Sequence, residues 1–213
     1  MNKSCYTQKN IREMEDRYRA RFVNSLSGYK SANLIGTTDD KGQHNLSIVS
    51  SVFHLGANPP LMGFIIRPHS VERHTLENIL VSQQYTINSV CQSIFKSAHQ
   101  TSARYKKEES EFEKVGLTPI LGSEIRAPYV KESPIQIGLS LREHTTLSVN
   151  NTELIIGEIQ EIRVQDDALN TDGSIDVDSL ELVAVSGLDS YHIGTRLARL
   201  SYAKPDSDLM ELE

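Results

Sequence analysis

Residues Asn45–Asn88 read NLSIVSSVFHLGANPPLMGFIIRPHSVERHTLENILVSQQYTIN. A Ser-rich extended run from Asn45 to Phe53 meets a break at Pro59-Pro60. A continuous apolar run, Leu61 to Ile66, then has strand length, and the pattern predicts a short helix over Thr75 to Ser82 and a strand over Gln84 to Asn88. Hydroxyls and backbone amides at a strand end, followed by a cation and a threonine where a helix begins, suit a phosphate-bearing ligand lying against a β-sheet. Ser50, Ser51, Arg73 and Thr75 are the residues placed for it. Each also has a plainer reading. Arg73 is equally a solvated charge at a helix start, the serines equally the outer face or capped edge of a strand, and Thr75 a favoured N-cap.

Outward from that stretch, 213 residues suffice for one domain with a substantial core. The net charge of −6 provides no global basic field, so nucleic acid is not an expected partner. Cys5 and Cys91 stand far apart and form no disulfide or zinc framework. The N-terminal stretch is charged and lacks an apolar h-region, and no run is long enough to span a bilayer, so no membrane association and a cytoplasmic location are expected. The seven histidines show no metal-ligand spacing, and no metal is expected. No GxSxG, GxGxxG or GxxxxGK[ST] motif occurs. Asn170-Thr171-Asp172-Gly173 has the look of a calcium loop, but Ala168 and Ser179 stand where its terminal acidic ligands belong.

Thr7 to Val23 reads as one helical arm with Ile11, Met14, Tyr18 and Phe22 in a narrow apolar stripe, laid on the barrel or on a partner. Ala32 to Thr37 is a predicted strand turning through Asp39-Asp40-Lys41-Gly42 into Asn45 to Phe53. Ser93 to Glu113 holds two helical pieces. Ile135 to Leu147 alternates, with Ile135, Ile137, Leu139 and Leu141 on one face; a turn at Asn150-Asn151 leads into Glu153 to Val164. Gly157 marks a bulge or a close backbone approach, and Leu182 to Val185 is a last short strand. Many strands with few long helices predict a mainly β barrel, closed or partly closed, with peripheral helices.

These residues carry a family resemblance. Asn45 and Ser50 before Pro59-Pro60, then Arg73, His74, Thr75, Asn78 and Ile79, then Tyr85 to Asn88, stand in the order found in flavin reductase-like proteins with an FMN-binding split barrel, a group that includes flavoredoxins. Ser102 with Glu111-Phe112, Pro128 to Ser133, and Gly157 to Ile159 continue the match, which covers roughly residues 22–205. His74 departs from the usual Asp, and Gly138-Leu139 from an acidic residue and Cys on the substrate side.

The resemblance implies a mainly β fold with peripheral helices, an FMN-binding split β-barrel over residues 25–205, between an N-terminal helical arm, 1–24, and a C-terminal tail, 206–213. It implies FMN as cofactor, held by Asn45, Ser50, Ser51, Val52, Phe53, Arg67, Arg73, His74, Thr75, Asn78, His99 and Ser102, with backbone groups from Ser50 to Phe53 at the pyrimidine edge of the ring. The implied activity is hydride transfer from NAD(P)H to flavin and on to an unidentified acceptor; no catalytic side chain is singled out. An electron-transfer flavoprotein without its own NAD(P)H activity, or a non-enzymatic barrel binding another phosphate ligand, are the alternatives. An open barrel side and the apolar arm lead to the expectation of a homodimer.

Overall fold

The structure is a computed structural model that describes residues 2–212; the outer limits of the expected arm and tail, Met1 and Glu213, lie outside the described residues. In chain order its elements are α1 (Gln8–Glu13), α2 (Asp16–Ser25), β1 (Lys30–Ser31), β2 (Asn33–Thr38), β3 (His44–Val49), β4 (Phe53–Ala57), β5 (Pro60–Ile66), α3 (His74–Ser82), β6 (Gln84–Ser89), α4 (Phe95–Gln100), α5 (Glu111–Val115), β7 (Pro119–Ile120), β8 (Tyr129–Val130), β9 (Ile135–Leu147), β10 (Thr152–Val164), β11 (Val183–Ser186), β12 (Ser190–Ile193), β13 (Arg199–Leu200) and β14 (Glu211–Leu212).

Seven strands form an antiparallel sheet in the order β3-β2-β6-β9-β10-β5-β4. Its two outermost strands, β3 and β4, are consecutive in sequence and separated only by Ser50, Ser51 and Val52. A connection of four extended steps reaches at most about 14 Å, so the sheet has to curl until its edges nearly meet. The expected continuous strand from Asn45 to Phe53 is therefore two strands at opposite edges, and the chain crosses the split between them. Pro59-Pro60 lies in the tight turn of the β4–β5 hairpin, where Ala57 pairs with Pro60.

Ser51 anchors the crossing to β5. Its hydroxyl donates to the Ile65 carbonyl at 2.9 Å and accepts from the Ile65 N–H at 3.1 Å, taking both ladder bonds just before β4 begins. Ser51→Ala leaves that partly buried N–H and C=O unpaired, so a loss of about 1–3 kcal/mol is expected in denaturant unfolding. An unchanged midpoint would show that the two bonds contribute nothing.

The β2–β3 turn forms as its sequence predicts: Asp39 accepts from Lys41 N at 2.9 Å and Gln43 N at 2.8 Å, and Gly42 takes φ +83°. In the β9–β10 hairpin the register shifts beside Gly157, and a Cβ there would come within 2.2 Å of the Tyr85 hydroxyl. The one-face alternation expected for β9 is incomplete: Gln136 is buried too, donating to Val130 O at 2.7 Å, because the 117–133 segment covers that face.

Ile35, Phe64, Ile79, Tyr85, Ile87, Leu139 and Ile155 fill the barrel. A second core lies between the barrel and its outer layer, with Leu34, Leu46, Val90, Ala98, Phe112, Val130 and Val185. A small sheet, β1-β11-β12, belongs to this layer.

The arm is two helices. Met14 is extended (φ −64°, ψ 143°), and the Glu15 carboxylate caps the second helix by accepting from Tyr18 N at 2.8 Å. Neither helix buries a residue within the chain; Tyr6, Tyr18 and Phe22 pack on one another instead. The C-terminal tail folds back, β14 pairing with β13 across the expected boundary at residue 206.

Candidate functional site

A cavity of about 820 Å³ lies between the mouth of the barrel and the outer layer. Its barrel wall is built from β3, the Ser50-Ser51 crossing, the end of β5, the 67–73 loop and the start of α3. Its outer wall is built from the end of α4, the 101–105 turn and the β11–β12 hairpin. The volume falls near the upper end of the roughly 300–1,000 Å³ usual for small-molecule sites.

At the barrel wall α3 begins without a side-chain cap. Thr75, expected as the N-cap, sits inside the first turn. Its Oγ1 accepts from Asn45 Nδ2 at 3.0 Å and shares a hydrogen with Ser47 Oγ at 2.8 Å. Asn45 Nδ2 also donates to Thr37 Oγ1 at 3.2 Å, as does Asn78 Nδ2 at 3.2 Å. Buried Thr37 thus ties β2, β3 and α3 together, and Asn78 belongs to this framework rather than to the cavity lining. Since Thr75 receives a hydrogen from Asn45, the Ser47–Thr75 pair uses one hydroxyl hydrogen between its members and keeps one for the cavity.

Uncapped N–H groups and the dipole of a nine-residue helix make this wall attractive to an anion. Two side chains reinforce it. Arg73 donates from Nε to the Pro68 carbonyl at 3.4 Å, and among the described residues no carboxylate lies within ion-pair distance of its guanidinium. His74 Nε2 is buried without a hydrogen-bond partner, 3.7 Å from a Glu72 carboxylate oxygen. A buried polar atom left unpaired costs free energy, and a ligand oxygen in the cavity would satisfy it.

Carboxylates behind the wall are committed elsewhere. Glu77 accepts from the Arg73 N–H at 3.2 Å and pairs with His69 at 3.1 Å. Burial alone would raise its pKa, but His69, the Arg73 N–H and nearby His74 outweigh it and hold the carboxyl below its ordinary value. Glu111, buried on α5, accepts from Leu46 N at 2.9 Å and so covers the free edge of β3; desolvation holds its carboxyl above the ordinary value.

His44, at the start of β3, meets Phe112 edge-on at 6.1 Å, and burial holds it below its ordinary value of 6.5. The unfolded chain therefore binds this proton more readily, so stability falls as pH drops through 6.5 towards the folded value. His44→Gln should flatten that limb of a Tm-versus-pH curve; an identical curve would remove His44 as its source.

Of the residues expected at the site, Asn45, Ser50, Ser51, Arg67, Arg73, His74, Thr75, His99 and Ser102 line the cavity. Val52, Phe53 and Asn78 do not: Val52 packs against the barrel core, and the Phe53 ring lies over Gly63. Ser51 is corrected in role, because its only hydroxyl hydrogen goes to Ile65 and is not free for a phosphate. Residues that sequence reasoning passed over include Arg104, Tyr105 and Leu188 in the outer wall. Nothing local marks them; they reach the cavity only through packing of the outer layer. Among the described residues no group of three His, Cys, Asp or Glu side chains could hold a metal ion, and no helix is long and apolar enough to cross a membrane.

A seven-stranded antiparallel sheet rolled up with an unpaired seam, and a ligand-sized cavity at its mouth, define a split barrel. The chain belongs to the flavin reductase-like family, whose domain matches residues 26–180. A candidate flavin reductase with a split barrel domain from Shewanella frigidimarina is 57% identical, with a TM-score of 0.91 over 94% of this chain and 100% of that one. Nitrilotriacetate monooxygenase component B from Bacillus cereus has the same fold at 21% identity and a TM-score of 0.82, covering 92% of this chain and 98% of that one. Flavoredoxin of Desulfovibrio vulgaris (Miyazaki F) shares it at 24% identity, TM-score 0.71, over 86% and 94% of the two chains.

Proposed function

We propose that this protein binds FMN at the barrel wall and uses it to take a hydride from NAD(P)H. The observation that carries this reading is the buried His74 Nε2, without a hydrogen-bond partner among the described residues, beside an arginine that pairs with no carboxylate among them, at an uncapped helix start. A dianionic phosphate suits that donor set better than a neutral ligand. Arg73 supplies charge, the N–H groups of His74 and Thr75 supply backbone donors, and the Ser47–Thr75 pair supplies its spare hydroxyl hydrogen. The Ser50-Ser51 crossing borders the cavity with backbone that lies outside the paired strands, suited to the polar edge of a flat ring. Arg67 lies exposed at the rim.

Bound FMN would supply the redox chemistry, accepting a hydride and passing electrons to an acceptor. The protein's work is to bind, to orient and to exclude water, so no acid–base side chain is required at the ring. Exposed Tyr18, Val23 and Leu26 on the arm, with Phe53 and Leu55 on edge strand β4, form apolar surface that a second copy would cover, which supports a homodimer.

Steady-state oxidation of NADH and NADPH, with and without added FMN, tests the reading. FMN-dependent oxidation of at least one nucleotide is the expected result. Bound yellow cofactor with negligible NAD(P)H oxidation would replace the enzyme by an electron carrier, and the absence of any flavin uptake would overturn the cofactor assignment.

A further inference from the structure

The outer wall of the cavity carries a polar device that the barrel wall does not need. Tyr191 on β12 reaches the cavity from the outer layer, where its hydroxyl lies 2.9 Å from His99 Nδ1. His99 meets the Tyr191 ring edge-on, with centroids 5.7 Å apart, and Phe95 packs against the same ring at 5.3 Å. These contacts hold the phenol in place. The same wall holds apolar Ala103, Val185 and Leu188 together with polar Ser102, Arg104 and Tyr105.

We propose that Tyr191 is the hydrogen-bond donor to the carbonyl oxygen of a second, planar ligand bound beside the flavin, and that His99 is its positioning residue. The proposal rests on the flavin reading for what occupies the barrel wall. When His99 carries its hydrogen on Nδ1, the Tyr191 oxygen accepts it, and the phenolic hydrogen is free to point into the cavity. His99 is exposed at the surface, so water can satisfy its other nitrogen and this tautomer is accessible. Burial, with the nearby Asp189 charge, holds the Tyr191 phenol above its ordinary value, so it keeps its hydrogen through the neutral range. Tyr191 differs from the other polar groups of this wall in having its hydroxyl held by a cavity-lining histidine, and a neutral donor held in this way suits the carbonyl of a planar ring. That chemistry is shared by the carboxamide of a nicotinamide and by a cyclic conjugated ketone acting as electron acceptor.

Calorimetric titration of wild type and Tyr191→Phe, each with and without bound FMN, tests this with matched probes. Nicotinamide is compared with pyridine, and cyclohexenone with cyclohexene. Wild type should favour the carbonyl member of at least one pair by about 5- to 10-fold, and Tyr191→Phe should erase that preference while binding FMN as wild type does. The pair that loses its preference identifies the electron-donor or the electron-acceptor ligand as the natural occupant. His99→Ala should reduce the same preference part of the way, and His99→Gln, which retains a side-chain partner, should restore some of it. A preference unchanged in Tyr191→Phe, or no preference in wild type, overturns the proposal. Failure of wild type to take up FMN would instead overturn the parent reading, and the titrations on the FMN-free protein would still decide the role of the tyrosine.

Discussion

Replacing Arg73 by Ala should weaken FMN binding by about 10- to 100-fold, the range expected from one lost charge-assisted contact of roughly 1.5–3 kcal/mol. The substitution is informative because Arg73 has little structural work to lose. Its guanidinium makes one long bond, 3.4 Å to the Pro68 carbonyl, and the contact that orders the helix start is the backbone N–H to Glu77, which alanine retains. A fall in affinity with an unchanged Tm therefore reports on the ligand. Riboflavin, which lacks the phosphate, should bind the variant and wild type equally. Arg73→Lys should recover part of the loss, since a point charge remains but the planar fork does not.

Gly36→Ala should destabilise the fold by about 3 kcal/mol, lowering Tm by roughly 6–12 °C, the largest effect expected from one added methyl group. Gly36 lies in the middle of β2, where a Cβ would come 2.2 Å from the Pro128 carbonyl oxygen and 2.5 Å from Thr86 Oγ1. Neither atom can retreat. Thr86 donates to that same carbonyl at 2.6 Å, and Asn88 locks the neighbouring chain by accepting from Val130 N at 3.0 Å while donating to Thr86 at 2.8 Å. Relief of the clash would break this buried network and leave its members unpaired. Gly194→Ala is the control: no atom lies within 4 Å of its Cβ position, so thermal melting should be nearly unchanged. Equal Tm values for the two variants would contradict the packing described for β2.

The parts of the fold that were legible in the sequence are those set by neighbours along the chain. The Asp39–Gly42 turn, the β9–β10 hairpin and the helix after Arg73 follow from turn chemistry and periodicity, and each appears within a residue or two of its expected limits. Chain closure was not legible. Nothing in Asn45–Phe53 announces that Val49 ends one edge of the sheet and Phe53 begins the other, because that depends on the curl of all seven strands. The same long-range packing decides the hydroxyls. Ser51 and Thr75 look alike as phosphate ligands on paper, yet the hydroxyl hydrogen of Ser51 is taken by Ile65 on β5, whereas Thr75 and Ser47 share one hydrogen and keep one for the cavity. Glu15 splits the arm by capping a second helix, a local signal overshadowed by the continuous apolar stripe. Tyr191, distant in sequence from the barrel wall, becomes a cavity residue only when the outer layer docks.

A phosphate site for a flavin at the barrel wall, as proposed, makes a quantitative demand on binding. The most direct test is the ratio of the dissociation constants of riboflavin and FMN for the wild-type protein, measured by fluorescence titration at one salt concentration. FMN should bind at least about 100-fold more tightly than riboflavin, as a dianion meeting Arg73, His74 and an uncapped helix start requires. Equal affinities for the two flavins would contradict the account.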